Sequence, residues 1–254
     1  MAAATHEVLV PLGEGRRMRV PMITTYFSQL NIPISPDKLA KLERYYDLLI
    51  KKNKVMNLTA ITDHDEFMRK HILDSLAVVR YFSFDGVERV MDLGTGGGFP
   101  GIPLKIFFPE TEFTLVDSVN KKLRFIEEAA RELGLDKISF VHGRAEDLAH
   151  DDLYREKYDV LVSRAVANLS TLTELSLGFI KQGGLFLSYK GVTGEEELRE
   201  AAKAINIMGG EPGRLEKYDL PGGDDQRSLI FIKKTKKTPK TYPRKAGVPN
   251  KKPL

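Results

Sequence analysis

The chain has 254 residues, enough for one large domain, and its hydrophobic content of 42% is ordinary for a protein with a buried core. No apolar run approaches the roughly 20 residues that span a membrane, and the N-terminus lacks the pattern of a signal peptide. The absence of cysteine excludes disulfides and thiolate metal ligands. The net charge is +4, but nine positive charges and no acid follow residue 232, which leaves about −5 on the remainder and indicates an anionic partner approached from one side. We expect a cytoplasmic monomer without a membrane or metal partner.

Helical patterns come first along the chain. Gly13, Gly15 and Pro21 break any pattern in residues 1–34, so we assign this segment no structure and no role. Ser35 followed by proline predicts a capped helix start, and apolar residues over 39–49 follow at helical spacing. A second helix is predicted over 62–79. Residues 35–84 are therefore interpreted as a helical extension ahead of a sheet.

From residue 87 onward, strands alternate with helices. The predicted strands are 87–93, 112–117, 138–142, 158–163 and 185–189, with an antiparallel pair over 213–233. The predicted helices between them are 103–108, 121–133, 169–180 and 195–208. Repeated βα units imply right-handed crossovers and an α/β fold with a doubly wound, mostly parallel sheet of seven strands over 85–235. Ligands of such sheets lie beyond the carboxyl ends of the strands.

The first strand leads into a glycine-rich loop that reads Asp92-Leu-Gly94-Thr-Gly96-Gly-Gly98-Phe99-Pro-Gly. Glycines let the backbone pass close beneath a ligand, and the amides at the following helix start would face it. Asp92 repels the pyrophosphate of a dinucleotide but suits a cationic, zwitterionic ligand such as S-adenosylmethionine. The loop also contains a literal dinucleotide pattern, Gly-x-Gly-x-x-Gly, which is weak alone because the strand should end directly before its first glycine. A tight turn without a ligand is the remaining alternative.

Each later strand also ends in a polar segment. Asp117 is placed to bind the ribose hydroxyls of an adenosine, or to cap the next helix. Ala145 and Glu146 lie in a short segment that could line adenine or form an ordinary capping turn. Arg164 would lie beside a methyl-transfer point, with a surface salt bridge as the alternative. Lys190 would meet a phosphate or a base, or be a solvated lysine.

The motifs of this chain occur together in a recognisable order. In addition to the glycine loop they are Asn-Leu-Thr from residue 57, Lys-His-Ile-Leu-Asp-Ser from 70, Arg-Ala-Glu from 144, Ser-Arg-Ala-Val-Ala from 163, Tyr-Lys-Gly from 189 and Tyr-Pro-Arg-Lys-Ala-Gly-Val-Pro from 242. Over residues 36–254 the chain resembles the bacterial small-subunit ribosomal RNA guanine-N7 methyltransferases, once called glucose-inhibited division protein B.

This resemblance implies a Rossmann-like class I methyltransferase fold with S-adenosylmethionine as methyl donor. It implies methylation of N7 of guanine 527 in the 530 loop of 16S rRNA, either in free RNA or in the small ribosomal subunit. It also implies donor binding by Gly94, Phe99, the Ala145–Glu146 pair and Arg164. Residues 1–35 lie outside the resemblance.

The residue types independently fit methylation at guanine N7. Carbon-5 methylation of pyrimidines usually needs a thiolate, and the chain has no cysteine. Exocyclic amine methylation usually uses an Asn/Asp-Pro-Pro-aromatic sequence after the fourth strand, where this chain has Ser-Arg-Ala-Val. Guanine N7 has a lone pair and no proton, so it needs no general base, and positioning alone can contribute about 7–11 kcal/mol. Arg164 and Lys190 are the candidate catalytic residues.

Several alternatives stay open from the sequence. A nicotinamide-dependent Rossmann oxidoreductase is one, although Asp92 argues against it, and a non-catalytic RNA-binding factor that retains the donor fold is another. His71 and Asp74 lie three residues apart, and they either form a buried pair that holds a helix to the sheet or contact the target nucleotide.

The C-terminal tail, residues 236–254, is rich in lysine and proline and is predicted to be extended. Its lysines would meet RNA phosphates, and Tyr242 would stack on a base. Removal of residues 238–254 is then expected to weaken RNA binding and leave donor binding intact. A passive solubility tail is the alternative.

Overall fold

The computed structural model describes residues 20–164 and 167–254, without the side chains of residues 20–22. Most of the unassigned N-terminal segment, and the Ala-Val pair that follows Arg164 in the sequence motif, lie outside the described residues. The described helices are α1 (Val20–Gln29), α2 (Pro36–Met56), α3 (His64–Phe67), α4 (Asp74–Leu76), α5 (Gly101–Phe107), α6 (Asn120–Glu132), α7 (Ala145–Leu148), α8 (Leu169–Ser176), α9 (Gly194–Glu200), α10 (Ala202–Ile207) and α11 (Val248–Lys251).

Seven strands form one sheet in the order β3-β2-β1-β4-β5-β7-β6. They are β1 (Arg89–Leu93), β2 (Glu112–Asp117), β3 (Ile138–His142), β4 (Tyr158–Arg164), β5 (Ile180–Lys190), β6 (Gly210–Asp219) and β7 (Gln226–Lys234). The strands β1 to β5 run parallel, and β7 is antiparallel to both β5 and β6. The predicted doubly wound, mostly parallel seven-stranded sheet is confirmed. The carboxyl ends of β1, β2 and β4 therefore meet at one edge.

The N-terminal extension packs on one face of this sheet. Ser35 accepts a hydrogen bond from the backbone N–H of Lys38 at 3.3 Å, so the predicted helix start at α2 is confirmed. The second predicted helix is a sequence of α3, a π-helical stretch (Met68–Leu73), α4 and a 3₁₀ turn (Ala77–Arg80). π-helical turns often occur at functional sites, and this one contains His71 and is followed directly by Asp74.

Strand β5 starts earlier than predicted because glycines bend the chain without ending it. Strand β5 begins at Ile180, where a helix was predicted to end, and Tyr158 of β4 pairs with Ile180 before the register shifts. Gly183 has a φ of +89°, and a Cβ on Gly184 would lie 2.6 Å from the Asp159 carbonyl oxygen. These glycines form an irregular strand rather than a helix stop. The predicted helix over 195–208 is two helices, α9 and α10, which meet at buried Ala201.

The C-terminal tail is not extended, which corrects the sequence prediction. Thr238 is 4% exposed, Pro243 and Pro249 are buried, and Tyr242 packs against the core beneath α8. Lys234, one of the nine basic residues after residue 232, is fully buried. The prediction rested on the number of prolines and charges in the tail. Composition does not show that other parts of the fold bury these prolines and pair with these charges. We call residues 238–254 the C-terminal arm.

Within the described residues, no helix is both long and apolar enough to cross a membrane. The same residues contain no group of three or more histidines, aspartates and glutamates arranged to hold a metal ion.

Candidate functional site

The glycine loop between β1 and α5 presents one open face and one packed face. Gly94, Gly96 and Gly98 have φ values of +74°, +58° and +85°, which favour glycine. A Cβ on Gly96 would have a single neighbour within 4 Å, the Gly94 carbonyl oxygen at 3.9 Å, whereas a Cβ on Gly98 would lie 2.2 Å from the Tyr45 hydroxyl. The loop can therefore carry a ligand over Gly96 while α2 supports it at Gly98.

Asp92 supports this loop from within the protein. Its carboxylate is fully buried, and Oδ2 accepts hydrogen bonds from the Thr95 hydroxyl at 2.6 Å and the Gly101 N–H at 2.8 Å. Oδ1 has no hydrogen-bond partner among the described residues, and burial raises the pKa of this carboxyl to about 7. Asp92 was expected to face the ligand directly. Its geometry instead fixes the loop to the first turn of α5, so a bound cation would sense its negative charge through the loop.

Asp117 lies at the carboxyl end of β2, beside the open face of the loop. Its Oδ2 accepts a hydrogen bond from the Gly96 N–H at 2.9 Å, and its Oδ1 accepts one from the Val119 N–H at 2.8 Å. The second bond closes a turn onto the amide of Val119, which precedes α6, but no side chain caps the first turn of that helix, so the helix-cap alternative for Asp117 is wrong. Each oxygen keeps a further lone pair, so this geometry leaves ribose recognition possible.

Ala145 and Glu146 open α7 directly after β3. The N–H of Gly143 donates to the carbonyl of Asp117 at 3.2 Å, which ties this segment to the end of β2. The Glu146 side chain is 8% exposed, and its Oε1 accepts a hydrogen bond from the Gly247 N–H of the C-terminal arm at 2.9 Å. This contact leaves no local pattern in the sequence, because the two residues lie 101 positions apart.

Arg164 joins three parts of the site at the carboxyl end of β4. Its guanidinium donates to Asp74 Oδ2 and to His71 Nδ1, each at 3.0 Å, and lies 5.1 Å from the centre of the Phe99 ring. The Arg164 and Asp74 side chains are 14% and 6% exposed, so the surface salt bridge considered for Arg164 is wrong. His71 and Asp74 hold the extension to the sheet, as one alternative predicted, but through Arg164 rather than as a direct pair.

His71 is held as a neutral ring in this cluster. Burial and the nearby Arg164 charge lower the pKa of His71 to about 3. Because Nδ1 accepts from Arg164, Nε2 carries the proton and donates to Thr59 Oγ1 at 2.7 Å. The ring stacks on Phe99 with centroids 4.5 Å apart. The Asn-Leu-Thr motif thus contributes a residue that orients His71, a role that its sequence alone did not suggest.

A pocket of about 460 Å³ opens beyond the ends of β4 and β5. Arg164, Lys190 and Glu197 line it together with the π-helical stretch. Lys190 Nζ lies 2.7 Å from Glu197 Oε2 and donates to the Ala167 carbonyl at 2.5 Å. The Lys190 side chain is 7% exposed, so the interpretation as a solvated lysine is wrong. Glu197, which pairs with Lys190, was not singled out from the sequence.

Comparison with known proteins adds evidence from sequence and from structure. A family model described as rRNA small subunit methyltransferase G matches residues 38–229. The chain is 46% identical over 237 residues to the ribosomal RNA small subunit methyltransferase G of Staphylococcus epidermidis, a match that covers 93% of this chain and 99% of that protein. It is 46% identical to the protein of the same name from Lachnoclostridium phytofermentans, with 89% of this chain and 93% of that one covered.

Solved structures share the fold at low sequence identity. The StiE O-MT structure, residues 961–1257, matches with a TM-score of 0.51 and 16% identity over 66% of this chain and 75% of that chain. A fibrillarin/Nop5p complex gives a TM-score of 0.51 and 17% identity over 64% and 80%. The family model and the curated relatives both extend over most of the chain, so the chain belongs to the rRNA small subunit methyltransferase G family.

Proposed function

We propose that the protein transfers a methyl group from S-adenosylmethionine to N7 of guanine 527 in the 530 loop of 16S rRNA. The observation that carries this proposal is the convergence of the glycine loop, the Arg164 cluster and the pocket of about 460 Å³ at one sheet edge. The names of the relatives support ribosomal RNA as the substrate class. The resemblance of the motifs to the guanine-N7 enzymes supports the base and the atom.

The donor half of the proposal rests on the loop and on two carboxylates. S-adenosylmethionine supplies a methyl group made electrophilic by its bond to a sulfonium. The open space over Gly96 is where the backbone can approach such a ligand closely. When ionised, the buried carboxylate of Asp92 would favour a cation there, and Asp117 would accept hydrogen bonds from the ribose. Ala145 and Glu146 would flank the adenine, and Phe99 would separate the donor from the Arg164 cluster.

The acceptor half of the proposal rests on the pocket beyond β4 and β5. Guanine presents the acceptors O6 and N7 on one edge and an amino donor on another. The paired Lys190 and Glu197 offer a donor and an acceptor to such a base. Since N7 carries no proton, a general base is unnecessary, and neutral His71, already bound on both nitrogens, fits a positioning role. Arg164 would hold the surrounding groups so that N7 stays in line with the methyl group.

We further propose that the protein acts as a cytoplasmic monomer on free 16S rRNA or on the small ribosomal subunit. The donor assignment is tested by calorimetry on the full chain. Asp117→Ala is expected to weaken S-adenosylmethionine binding by about 1–3 kcal/mol, the usual cost of a lost bond and an unpaired donor. The exposed Asp152 gives a matched control, Asp152→Ala. A folded Asp117→Ala protein with unchanged donor affinity, or a wild-type protein that binds NADH instead, would contradict the assignment.

A further inference from the structure

The C-terminal arm is docked on the body of the protein by a buried ion pair. Glu174 of α8 is fully buried, and both of its carboxylate oxygens are bound by Arg244. The Arg244 backbone N–H donates at 2.8 Å, Nε at 2.9 Å and a terminal nitrogen at 2.6 Å. A two-pronged guanidinium contact of this kind fixes direction as well as distance. Arg244 also donates to the Lys252 carbonyl at 2.7 Å, so the same side chain closes the end of the arm.

Further contacts guide the arm along α7 and α8. The His150 ring donates to the Pro243 carbonyl at 2.8 Å, and the Thr171 hydroxyl donates to the Pro249 carbonyl at 3.0 Å. Between these contacts, Gly247 has a φ of +81° and turns its N–H toward Glu146. The arm therefore reaches Glu146 in one defined conformation.

Glu146 is close to the donor side of the sheet edge. Its helix follows β3 directly, and Gly143 in the intervening loop donates to the carbonyl of Asp117. The Asp117 carboxylate in turn accepts from the N–H of Gly96 in the glycine loop. A continuous path of hydrogen bonds and short chain segments thus runs from Gly247 of the arm to the open face of the glycine loop.

We propose that the C-terminal arm is a positioning element of the donor site, in which Arg244 docks the arm and Gly247 holds Glu146 against the donor. Among the described residues, the hydrogen bond from Gly247 to Glu146 links the arm to this side of the site. Docking of the arm therefore changes how well the donor pocket is formed and not the reactivity of the groups in it. This inference rests on the proposed function, because it assumes that the loop after β3 flanks S-adenosylmethionine.

A charge effect of the basic arm is the competing explanation, and neighbouring residues separate the two. Lys245 follows Arg244, carries the same charge and is exposed, whereas Arg244 is engaged with Glu174. Arg244→Ala and Lys245→Ala therefore remove one positive charge each at adjacent positions. Only the first change removes the anchor.

The test measures donor binding by calorimetry without RNA, followed by steady-state methylation. Arg244→Ala is expected to raise the donor Kd and the donor KM at least fivefold, with kcat at saturating donor within twofold of wild type. Hydrogen exchange should accelerate at the amides of residues 144–149 and 243–252 and stay unchanged in β1 and β2. Saturating donor should restore protection in both segments, since coupling between two sites is reciprocal. Lys245→Ala should leave the donor Kd unchanged.

A second variant covers the case in which Arg244→Ala fails to fold around the unpaired Glu174. Gly247→Pro removes the N–H that binds Glu146 and cannot adopt a φ of +81°, but it keeps the Glu174–Arg244 pair. A folded variant with rapid exchange over 243–252 and a wild-type donor Kd would overturn the proposal, as would equal effects of Arg244→Ala and Lys245→Ala. A wild-type protein that binds no S-adenosylmethionine would instead overturn the proposed function itself.

Discussion

Arg164 is the residue on which most of the site depends. It contacts Asp74 of the extension, His71 of the π-helical stretch and the ring of Phe99. Arg164→Ala is therefore expected to lower stability as well as methylation, because Asp74 is 6% exposed and loss of one partner of a buried pair costs about 3–5 kcal/mol.

Arg164→Lys separates the two effects. The lysine keeps a charge beside Asp74 but cannot also donate to His71 and cover the Phe99 ring. We predict at least a tenfold lower single-turnover methylation rate with a much smaller loss of stability than for Arg164→Ala. Arg89→Lys is the matched control, because Arg89 lies over the Tyr158 ring at the amino end of β1. Equal single-turnover rates for Arg164→Lys and wild type would contradict the positioning role.

The candidate residues of the site could be predicted from the sequence, but their partners could not. Asp92, Glu146 and Lys190 all lie at the sheet edge where ligands were expected, because strand ends can be located from the βα pattern. Their side chains are engaged by Gly101, Gly247 and Glu197, and neither Gly247 nor Glu197 could have been assigned without the fold. A partner that lies many residues away leaves no local pattern in the sequence. The roles of these residues in donor or base binding therefore stay predictions.

At the scale of elements, α2 and the glycine loop act as one unit. The Tyr45 hydroxyl of α2 donates to the Gly97 carbonyl at 2.6 Å and is fully buried. We predict that Tyr45→Phe weakens donor binding by about 1 kcal/mol, because the loop loses one buried hydrogen bond. Tyr46→Phe is the control, since the Tyr46 hydroxyl donates to the Thr62 carbonyl, away from the loop. If calorimetry gives the same donor Kd for both variants, the contact between α2 and the loop does not affect donor binding, and the prediction is wrong.

The contact between α2 and α3 predicts a dependence of stability on pH. A hydrogen bond to Glu43 at 2.7 Å raises the pKa of His64 to about 9, above its unfolded value of about 6.5. The resulting stabilisation is fully present below pH 6.5 and is lost as the pH rises through 9. We expect this pair to contribute about 1 kcal/mol to the free energy of unfolding, since the imidazole is 35% exposed and solvent screens the interaction.

The measurement compares the free energy of unfolding of wild type and His64→Gln between pH 6 and pH 10. The comparison with the variant is needed because two lysines also change the stability of both proteins in this pH range. Burial lowers the pKa values of Lys105 and Lys234 to about 8, so these lysines add stability as the pH rises from 8 toward 10.5. The advantage of wild type over the variant should shrink toward pH 10. An advantage that stays constant across this range would show that the His64 pKa is not raised.

Elements were predicted well where their patterns are periodic and less well where tertiary contacts decide. Strands β2 and β3 have their predicted bounds because short apolar runs end at clear turns. The stretch over 62–79 was predicted as one helix, since π and 3₁₀ turns keep nearly the same apolar spacing. The start of β5 depends on pairing with β4, which a single segment cannot show. The proposed division at residues 34, 84 and 235 stays a prediction, although the extension and the sheet share one apolar core.

At the scale of the molecule, the C-terminal tail, which was predicted to be extended, is instead packed on the body and forms a basic surface. Seven lysines in the arm or just before it are exposed, and they are Lys233, Lys236, Lys237, Lys240, Lys245, Lys251 and Lys252. Within the described chain, none of these lysines takes part in an ion pair. Deletion of residues 238–254 would leave buried Lys234 without its hydrogen bond to Thr238, and buried Glu174 without its ion pair to Arg244. The earlier expectation that this deletion leaves donor binding intact is therefore withdrawn, and point changes are the better test.

We predict that Lys236→Gln with Lys237→Gln lowers the salt dependence of RNA binding and keeps donor affinity. Each lost phosphate contact should reduce the slope of log K against log salt by about 0.7–0.9, through counterion release. Lys51→Gln with Lys54→Gln on α2 removes the same charge from an exposed face elsewhere. Equal slopes for both double variants and wild type on one rRNA fragment would favour a passive basic segment.

The fold and the family could be inferred from the sequence because their signals are spread over the whole chain. The βα alternation predicts the sheet, and the seven motifs in order indicate the family. Errors in the bounds of single elements therefore did not change the predicted fold or family. The donor S-adenosylmethionine follows from the family, whereas the target guanine stays a proposal.

Methyl transfer to this guanine is tested most directly by mass spectrometry of 16S rRNA from cells that lack the protein, before and after treatment with the protein and S-adenosylmethionine. We predict one new methyl group, on N7 of guanine 527, which forms far more slowly with Arg164→Lys. Tight RNA binding without methyl transfer would instead indicate a non-catalytic RNA-binding factor, and a methyl group on any other atom would contradict the proposed chemistry.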